Sequence, residues 1–248
     1  MADEREERIA VGDREIAVRV RNGDAPTLLW CGGFRSDMLG SKADAMVAFA
    51  AARGLASVRF DYSGHGTSGG RFADGTISRW VEEAMAVHSA FVSGPVLILG
   101  SSMGAWIALR MVQEMEAPPH ALVLIAPAPD FTSALMEPGF TDEQREALER
   151  DGHIVEPSEY SDEPTIYTRA LIEDGRANSV LDGRLVVGAP VRILQGVLDP
   201  DVPHAHAQRL AEALPEDEVV LTLVPDGDHR LSRDEDLALL ERTLAGLV

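Results

Sequence analysis

Gly100-Ser101-Ser102-Met103-Gly104 follows the apolar run Val96-Leu97-Ile98-Leu99 and precedes Ala105-Trp106-Ile107-Ala108-Leu109. The first run reads as a strand buried on both faces, and the second as the start of a helix. G-x-S-x-G between a strand and a helix makes a turn so sharp that its middle residue takes a strained backbone conformation. Glycines two places before and after leave room for it. Ser102 is then the hydroxyl exposed at the strand's carboxyl end, with a helix N-terminus behind it. Ser101 has the same chemistry but the wrong position in the turn.

Upstream of this turn, residues 8–21 alternate apolar and polar around Gly12-Asp13 and predict a hairpin. Thr27-Leu28-Leu29-Trp30-Cys31 predicts a buried strand ending in Gly32-Gly33-Phe34. Residues 42–53 predict a helix stopped by Gly54. Ala56–Phe60 is the next strand, running into the Gly-rich turn Asp61-Tyr62-Ser63-Gly64-His65-Gly66-Thr67-Ser68, and Thr76 caps a helix to about Phe91. Downstream, a helix to about Met115 leads to the strand Ala121–Ile125. This βα alternation implies a mostly parallel, doubly wound sheet behind an antiparallel N-terminal hairpin.

The rhythm breaks over residues 129–188, where two polar helical stretches, Thr141–Arg150 and Glu163–Glu173, are joined by loops. An insertion at a strand's carboxyl end lies over the ligand crevice of such a sheet, so a small helical cap is expected; a solvent-facing excursion is the alternative. Its apolar residues, among them Phe131, Met136, Phe140 and Tyr167, either line a pocket or pack the insertion onto the body. The pattern resumes with Val191–Leu194, a helix near His206–Leu214, the strand Val219–Val224 and a last amphipathic helix carrying Leu237, Leu240 and Leu244. One α/β domain over residues 1–248 accounts for the chain.

The formal charge is −19, a surface that repels nucleic acid and anionic membrane. All but one of the 22 lysines and arginines are arginine, the exception being Lys42. A single cysteine, Cys31, excludes an internal disulfide and a Cys-rich zinc site. No apolar run approaches the roughly 20 residues that span a bilayer. Residues 1–8 are charged and lack the apolar core of a signal peptide, so a cytoplasmic location is expected.

A serine hydroxyl needs a base within hydrogen-bond reach, and the base a partner that fixes its tautomer. Of seven histidines, His229 follows the strand Val219–Val224 in the loop Pro225-Asp226-Gly227-Asp228-His229, at the same sheet edge as Ser102. His88, His120, His153, His204 and His206 lie on helices, at the opposite edge or in the insertion. His65 leaves a strand at the right edge, but its Gly-rich turn accounts for it. The acid is expected after Val191–Leu194, where Asp199 and Asp201 both qualify. Asp199 is first out of the strand, and Asp201 suits a helix cap. Asp226 and Asp228 read as turn formers. Backbone N–H groups for a developing oxyanion are expected from Met103, just after the serine, and from Phe34, in the loop after an early strand. Cys31 reads as a small buried apolar residue. No His/Asp cluster shows metal-ligand spacing, and no cofactor is expected.

The order Ser102…Asp199…His229 is that of the α/β-hydrolase superfamily, which the chain resembles along nearly its whole length. More narrowly, it resembles the subgroup of palmitoyl-protein thioesterases and acyl-glucuronide esterases. The likeness is carried by Arg59-Phe60-Asp61-Tyr62-Ser63-Gly64 with Ser68, Gly100–Trp106, Ile193-Leu194-Gln195-Gly196 with Asp199, Val202 and Pro203, and Asp228-His229-Arg230. Two departures stand out: Gln195 where many relatives have His, and Cys31-Gly32-Gly33-Phe34 where many hydrolases have His-Gly. The resemblance implies a Ser102-His229-Asp199 triad and hydrolysis of small-molecule acyl esters or thioesters, or of an acylated protein. A cofactor-free C–C bond hydrolase, a haloperoxidase-like enzyme and a non-catalytic small-molecule receptor are the alternative functions.

Overall fold

The computed structural model describes residues 4–157 and 164–248. β1 (Arg5–Val11) and β2 (Arg14–Arg21) form the antiparallel hairpin, turning at Gly12, whose φ is +60°. Val11, Ile16, Val18 and Val20 face inward, as period-two alternation requires. The remaining main-sheet strands are β3 (Asp24–Cys31), β4 (Leu55–Phe60), β5 (Val96–Ser101), β6 (Ala121–Ile125), β9 (Val191–Gly196) and β10 (Val219–Val224), numbered to leave β7 and β8 for the insertion. The eight-stranded order is β1-β2-β4-β3-β5-β6-β9-β10. β2 meets β4 antiparallel, and every later pairing is parallel.

Among the described residues, five helices cover the two faces of this sheet. α1 (Ser41–Ala52) and α7 (Asp234–Ala245) pack Met46, Phe49, Leu240 and Leu244 against Leu28, Leu97 and Val123. α2 (Ile77–Phe91), α3 (Met103–Glu114) and α6 (His204–Glu212) pack Trp80, Trp106 and Leu210 against Leu29, Ile98 and Leu122. β5 lies at the centre, so its carboxyl end opens in the middle of one sheet edge. Among the described residues, no helix is long and apolar enough to cross a membrane.

Between β6 and β9 the chain differs from a purely helical insertion. It contains a short helical stretch at Thr132–Met136, α4 (Asp142–Asp151), α5 (Arg169–Ala177) and an antiparallel pair, β7 (His153–Glu156) with β8 (Thr165–Thr168). The helix expected over Glu163–Glu173 begins only at Arg169; Glu163 itself lies outside the described residues. The reason is local: Thr165-Ile166-Tyr167-Thr168 is β-branched and aromatic throughout, and Thr168 then caps α5 by accepting from the Leu171 N–H at 3.1 Å. The insertion's two ends are tied together by buried Asp130. Its carboxylate accepts from Ser179 Oγ (2.7 Å) and from the N–H groups of Val180 (2.9 Å) and Leu181 (2.8 Å).

Candidate active site

Ser102 stands between β5 and α3 at φ 54°, ψ −119°, a left-handed conformation rare for a residue with a Cβ. The surroundings enforce it. A Cβ at Gly104 would lie 2.1 Å from the Cys31 carbonyl oxygen, and one at Gly100 would lie 2.5 Å from that of Gly104. Only glycine permits β3, β5 and α3 to approach so closely. The Ser102 N–H donates to Ile125 O at 2.9 Å, and its carbonyl accepts from Ala128 N at 3.2 Å. The turn is therefore pinned to the neighbouring β6 segment. Ser101 ends β5 paired with Ile125 and is buried.

Three expected side chains meet at this edge. His229 Nε2 is 3.0 Å from Ser102 Oγ, and His229 Nδ1 is 2.8 Å from Asp199 Oδ2. The Asp199 side chain is fully buried, while His229 retains 17% exposure. Asp199 Oδ1 accepts from the N–H groups of Asp201 (2.9 Å) and Val202 (2.8 Å). Burial pushes the Asp199 carboxyl up; hydrogen bonds from His229, Val202 and Gln195 outweigh that and leave it below the usual carboxylate range. The two loops are joined by Leu198 N–H to Gly227 O at 2.9 Å, and a Cβ at Gly196 would lie 2.4 Å from that same oxygen. Lys42 Nζ reaches over from α1 and donates to the Arg230 carbonyl, bracing the segment after His229.

Other expected roles fall where their geometry puts them. Asp226 pairs with Arg233 at 2.8 Å, and Asp228 accepts from Leu231 N at 3.0 Å, as turn formers do. His206 is buried against the Pro129 carbonyl at 2.7 Å, and His120 contacts the Leu247 carbonyl at 2.6 Å. Burial pushes the Cys31 thiol up to about 12, which makes it inert. Asp199, Asp201 and His229 offer ligand atoms within 4.8 Å of one another. Both His229 nitrogens and both Asp199 oxygens are already engaged in hydrogen bonds, so a cation there would have to break the Ser-His-Asp line.

The loop after β3 lies against the serine. A Cβ at Gly33 would be 3.5 Å from Ser102 Cβ and 3.4 Å from Ser101 O. Phe34 follows, its ring edge-on to Phe72 (centroids 4.8 Å), tilted against Phe131 (5.6 Å) and parallel to Tyr167 (5.7 Å, planes 5° apart). Phe131 and Tyr167 belong to the insertion, so body and insertion share an aromatic cluster around Phe34, one residue after the Gly33 that lies against Ser102. The Met103 N–H opens α3 and has no carbonyl four residues back within the helix. Gln195 was legible only as a departure from relatives. Buried, it donates through Nε2 to Asp199 Oδ2 at 3.0 Å. Its place at the end of β9, one residue before Gly196, was the available signal.

The fold and this edge define a class, and the comparisons agree. The family model "Alpha/beta hydrolase family" matches residues 28–242, and the chain belongs to that family. Within it, the chain is similar to "Palmitoyl-protein thioesterase ABHD10, mitochondrial" of Mus musculus, at 30% identity over 236 residues, covering 94% of this chain and 78% of the relative. A crystal structure from Agrobacterium vitis S4 matches with TM-score 0.95 and 51% identity, over 99% of this chain and 98% of that one. The structure of "Alpha/beta hydrolase domain-containing protein 10 from mouse" matches with TM-score 0.88 and 28% identity, over 98% of both chains. The curated relatives are named as mitochondrial, which overturns the cytoplasmic location expected from residues 1–8. The want of a secretory apolar core says nothing about that compartment.

Proposed function

We propose that the protein is a serine hydrolase that cleaves acyl thioesters or carboxylic esters through an acyl-enzyme on Ser102. The reading is carried by one observation: Ser102, held at positive φ, has His229 at 3.0 Å, and His229 has buried Asp199 at 2.8 Å. His229 Nε2 takes the Ser102 proton as Oγ attacks the acyl carbonyl. The N–H groups of Phe34 and Met103 hold the oxyanion, a contribution of about 3 kcal/mol per donor to such barriers. The protonated imidazole, steadied by Asp199, gives its proton to the departing thiol or alcohol. Water, deprotonated by His229, then cleaves the acyl-enzyme, releasing the acid and restoring Ser102.

Similarity to a palmitoyl-protein thioesterase supports acyl thioesters, including acylated protein, as the substrate class. The names of those relatives also support a mitochondrial setting. In this reading residues 1–248 are one hydrolase domain and residues 129–188 are its cap, supported by the contacts of Phe131 and Tyr167 with Phe34. No cofactor takes part.

The test is hydrolysis of p-nitrophenyl esters and matched acyl thioesters from two to sixteen carbons, with Ser102→Ala as control. Turnover that disappears in Ser102→Ala is expected. An active Ser102→Ala protein would overturn the assignment. A wild-type protein that a fluorophosphonate labels on Ser102, but that cleaves neither series, would point to the C–C hydrolase or receptor alternatives.

A further inference from the structure

His65 lies in the turn Asp61–Ser68, and nothing in the proposed reaction uses it. It is 4% exposed, with its ring edge-on to Phe72, Trp80 and Tyr62 at centroid distances of 5.2, 5.3 and 5.7 Å. Nδ1 is 3.2 Å from the Ser63 carbonyl, which can only accept, so Nδ1 carries the proton. Nε2 is then a bare lone pair, and it accepts the backbone N–H of Arg35 at 3.1 Å.

That N–H belongs to a turn with an unusual cost. Ser36 N–H donates to Gly33 O at 3.1 Å, closing a β-turn in which Phe34 and Arg35 are the central residues. Arg35 has φ 57°, a conformation that favours glycine at this place in a turn. Flipping the central peptide, between Phe34 and Arg35, would relieve it, because that flip interconverts turn types. The flip would take the Arg35 N–H off His65. The same Gly-rich turn holds the loop a second time, where Asp61 Oδ1 accepts from Met38 N at 2.7 Å. A Cβ at Gly66 would lie 2.1 Å from Asp61 Oδ2, so the anchoring turn itself depends on glycine.

We propose that His65 is a positioning residue for the oxyanion hole: its Nε2 holds the Arg35 N–H and locks the Gly33–Ser36 turn in the one conformation in which the loop carrying the Phe34 N–H packs against Ser102. The inference rests on the proposed role of Phe34 as a donor. Burial lowers the His65 imidazole to about 4, helped by the nearby Arg35 charge and opposed by the Ser63 carbonyl, so the acceptor persists through the neutral range. His65 touches no substrate; it keeps a donor pre-aimed, so that no reorganisation is needed when the oxyanion forms.

The experiment compares wild type, His65→Leu and His65→Gln in p-nitrophenyl butyrate hydrolysis, with Ser102→Ala as control. Gln can present its amide oxygen near the position of Nε2; Leu keeps volume and removes the acceptor. For His65→Leu, kcat is expected to fall about ten- to hundredfold with KM within about twofold, as for a misaimed catalytic group. His65→Gln should recover most of the loss. Unchanged kcat in His65→Leu, or equal impairment in His65→Gln, would overturn the role. A second measurement needs no variant: ¹⁵N NMR of wild type should show unprotonated His65 Nε2 coupled across the hydrogen bond to the Arg35 amide. A protonated Nε2, or no coupling, would overturn it even if His65→Leu failed to fold. An active Ser102→Ala control would instead count against the serine mechanism and leave the NMR result standing.

Discussion

Gln195 and His229 converge on one oxygen: Asp199 Oδ2 accepts from Gln195 Nε2 at 3.0 Å while facing His229 Nδ1 at 2.8 Å. The Asp199 carboxylate is thereby held by two side chains and, through Oδ1, by two backbone N–H groups. In the proposed mechanism it must remain ionised and acceptor-only. Asp199→Asn would turn an amide N–H toward the imidazole or force the wrong tautomer, and kcat is expected to fall about 10³- to 10⁴-fold with the fold intact. Steady-state kinetics on an ester that the wild type cleaves checks this; loss under tenfold would place the partner of His229 elsewhere.

Gln195 supplies a finer test of the same carboxylate. Its Oε1 is buried and has no hydrogen-bond partner among the described residues, while Nε2 also lies within 3.0 Å of Gly196 O and 3.1 Å of Val202 O. Gln195→Glu would bring a second carboxyl beside the buried Asp199 side chain, and two such groups cannot both ionise readily. One proton shared between them weakens the hold on His229. The expected result is a greater loss of kcat/KM at pH 7 than in Gln195→Met, which merely removes a donor. Equal losses in the two variants would mean that the charge at Asp199 is insensitive to this neighbour.

Acid sensitivity follows from buried histidine. The His65 imidazole titrates near 4 in the folded protein, against an ordinary 6.5. Between those values the unfolded chain binds a proton that the folded chain refuses, so stability rises with pH there. The contribution is complete above about pH 6.5 and lost progressively toward pH 4, amounting to about 3 kcal/mol. Burial also lowers His206 and His88, which act in the same direction. The difference between proteins therefore isolates His65: urea unfolding midpoints of His65→Gln should fall less steeply from pH 7 to 4.5 than those of wild type. Parallel curves would remove the buried neutral imidazole from the account.

The elbow at Ser102 was legible in sequence because every determinant is local: an apolar run, two glycines at fixed offsets and a helical run. Asp199 and His229 were legible because each follows directly on a strand's carboxyl end, and a parallel sheet gathers those ends at one edge. What escaped is non-local or short. The strand order, with β3 between β4 and β5, depends on pairings far apart in sequence. The β7–β8 pair consists of two four-residue segments too brief for periodicity to register. The Arg35 contact of His65 joins residues thirty positions apart through one nitrogen, which no spacing rule announces.

Gly104→Ala tests whether the elbow's geometry is compulsory. The added methyl would lie 2.1 Å from Cys31 O and 2.5 Å from Gly32 O, both backbone atoms that cannot swing aside. Either α3 withdraws from β3 or the turn opens. Overpacking of this kind costs about 3 kcal/mol, which in a domain of this size lowers Tm by roughly 6–12 °C. Ser102 should also lose fluorophosphonate reactivity in the fraction that folds. A variant with unchanged Tm and labelling rate would contradict the close approach of α3 to β3.

Tyr167 tests whether the insertion takes part in substrate recognition. Its ring lies parallel to Phe34, 5.7 Å away, and Phe34 in turn meets Phe72 and Phe131. If residues 129–188 form a cap over the acyl group, Tyr167→Ala removes an apolar wall from the space beside Ser102. The loss grows with the surface a substrate buries there, about 25 cal/mol per Å². KM for a sixteen-carbon p-nitrophenyl ester should then rise about tenfold, while the two-carbon ester, with little acyl surface to bury, keeps its KM and kcat. A different outcome separates the two parts of Tyr167's position. If kcat falls equally for both esters with KM unchanged, Tyr167 acts through Phe34 by steadying the loop that carries the oxyanion donor. A chain-length profile identical to wild type in both constants would mean that the stack is only packing between insertion and body, and the cap would lose its role in selecting the acyl chain.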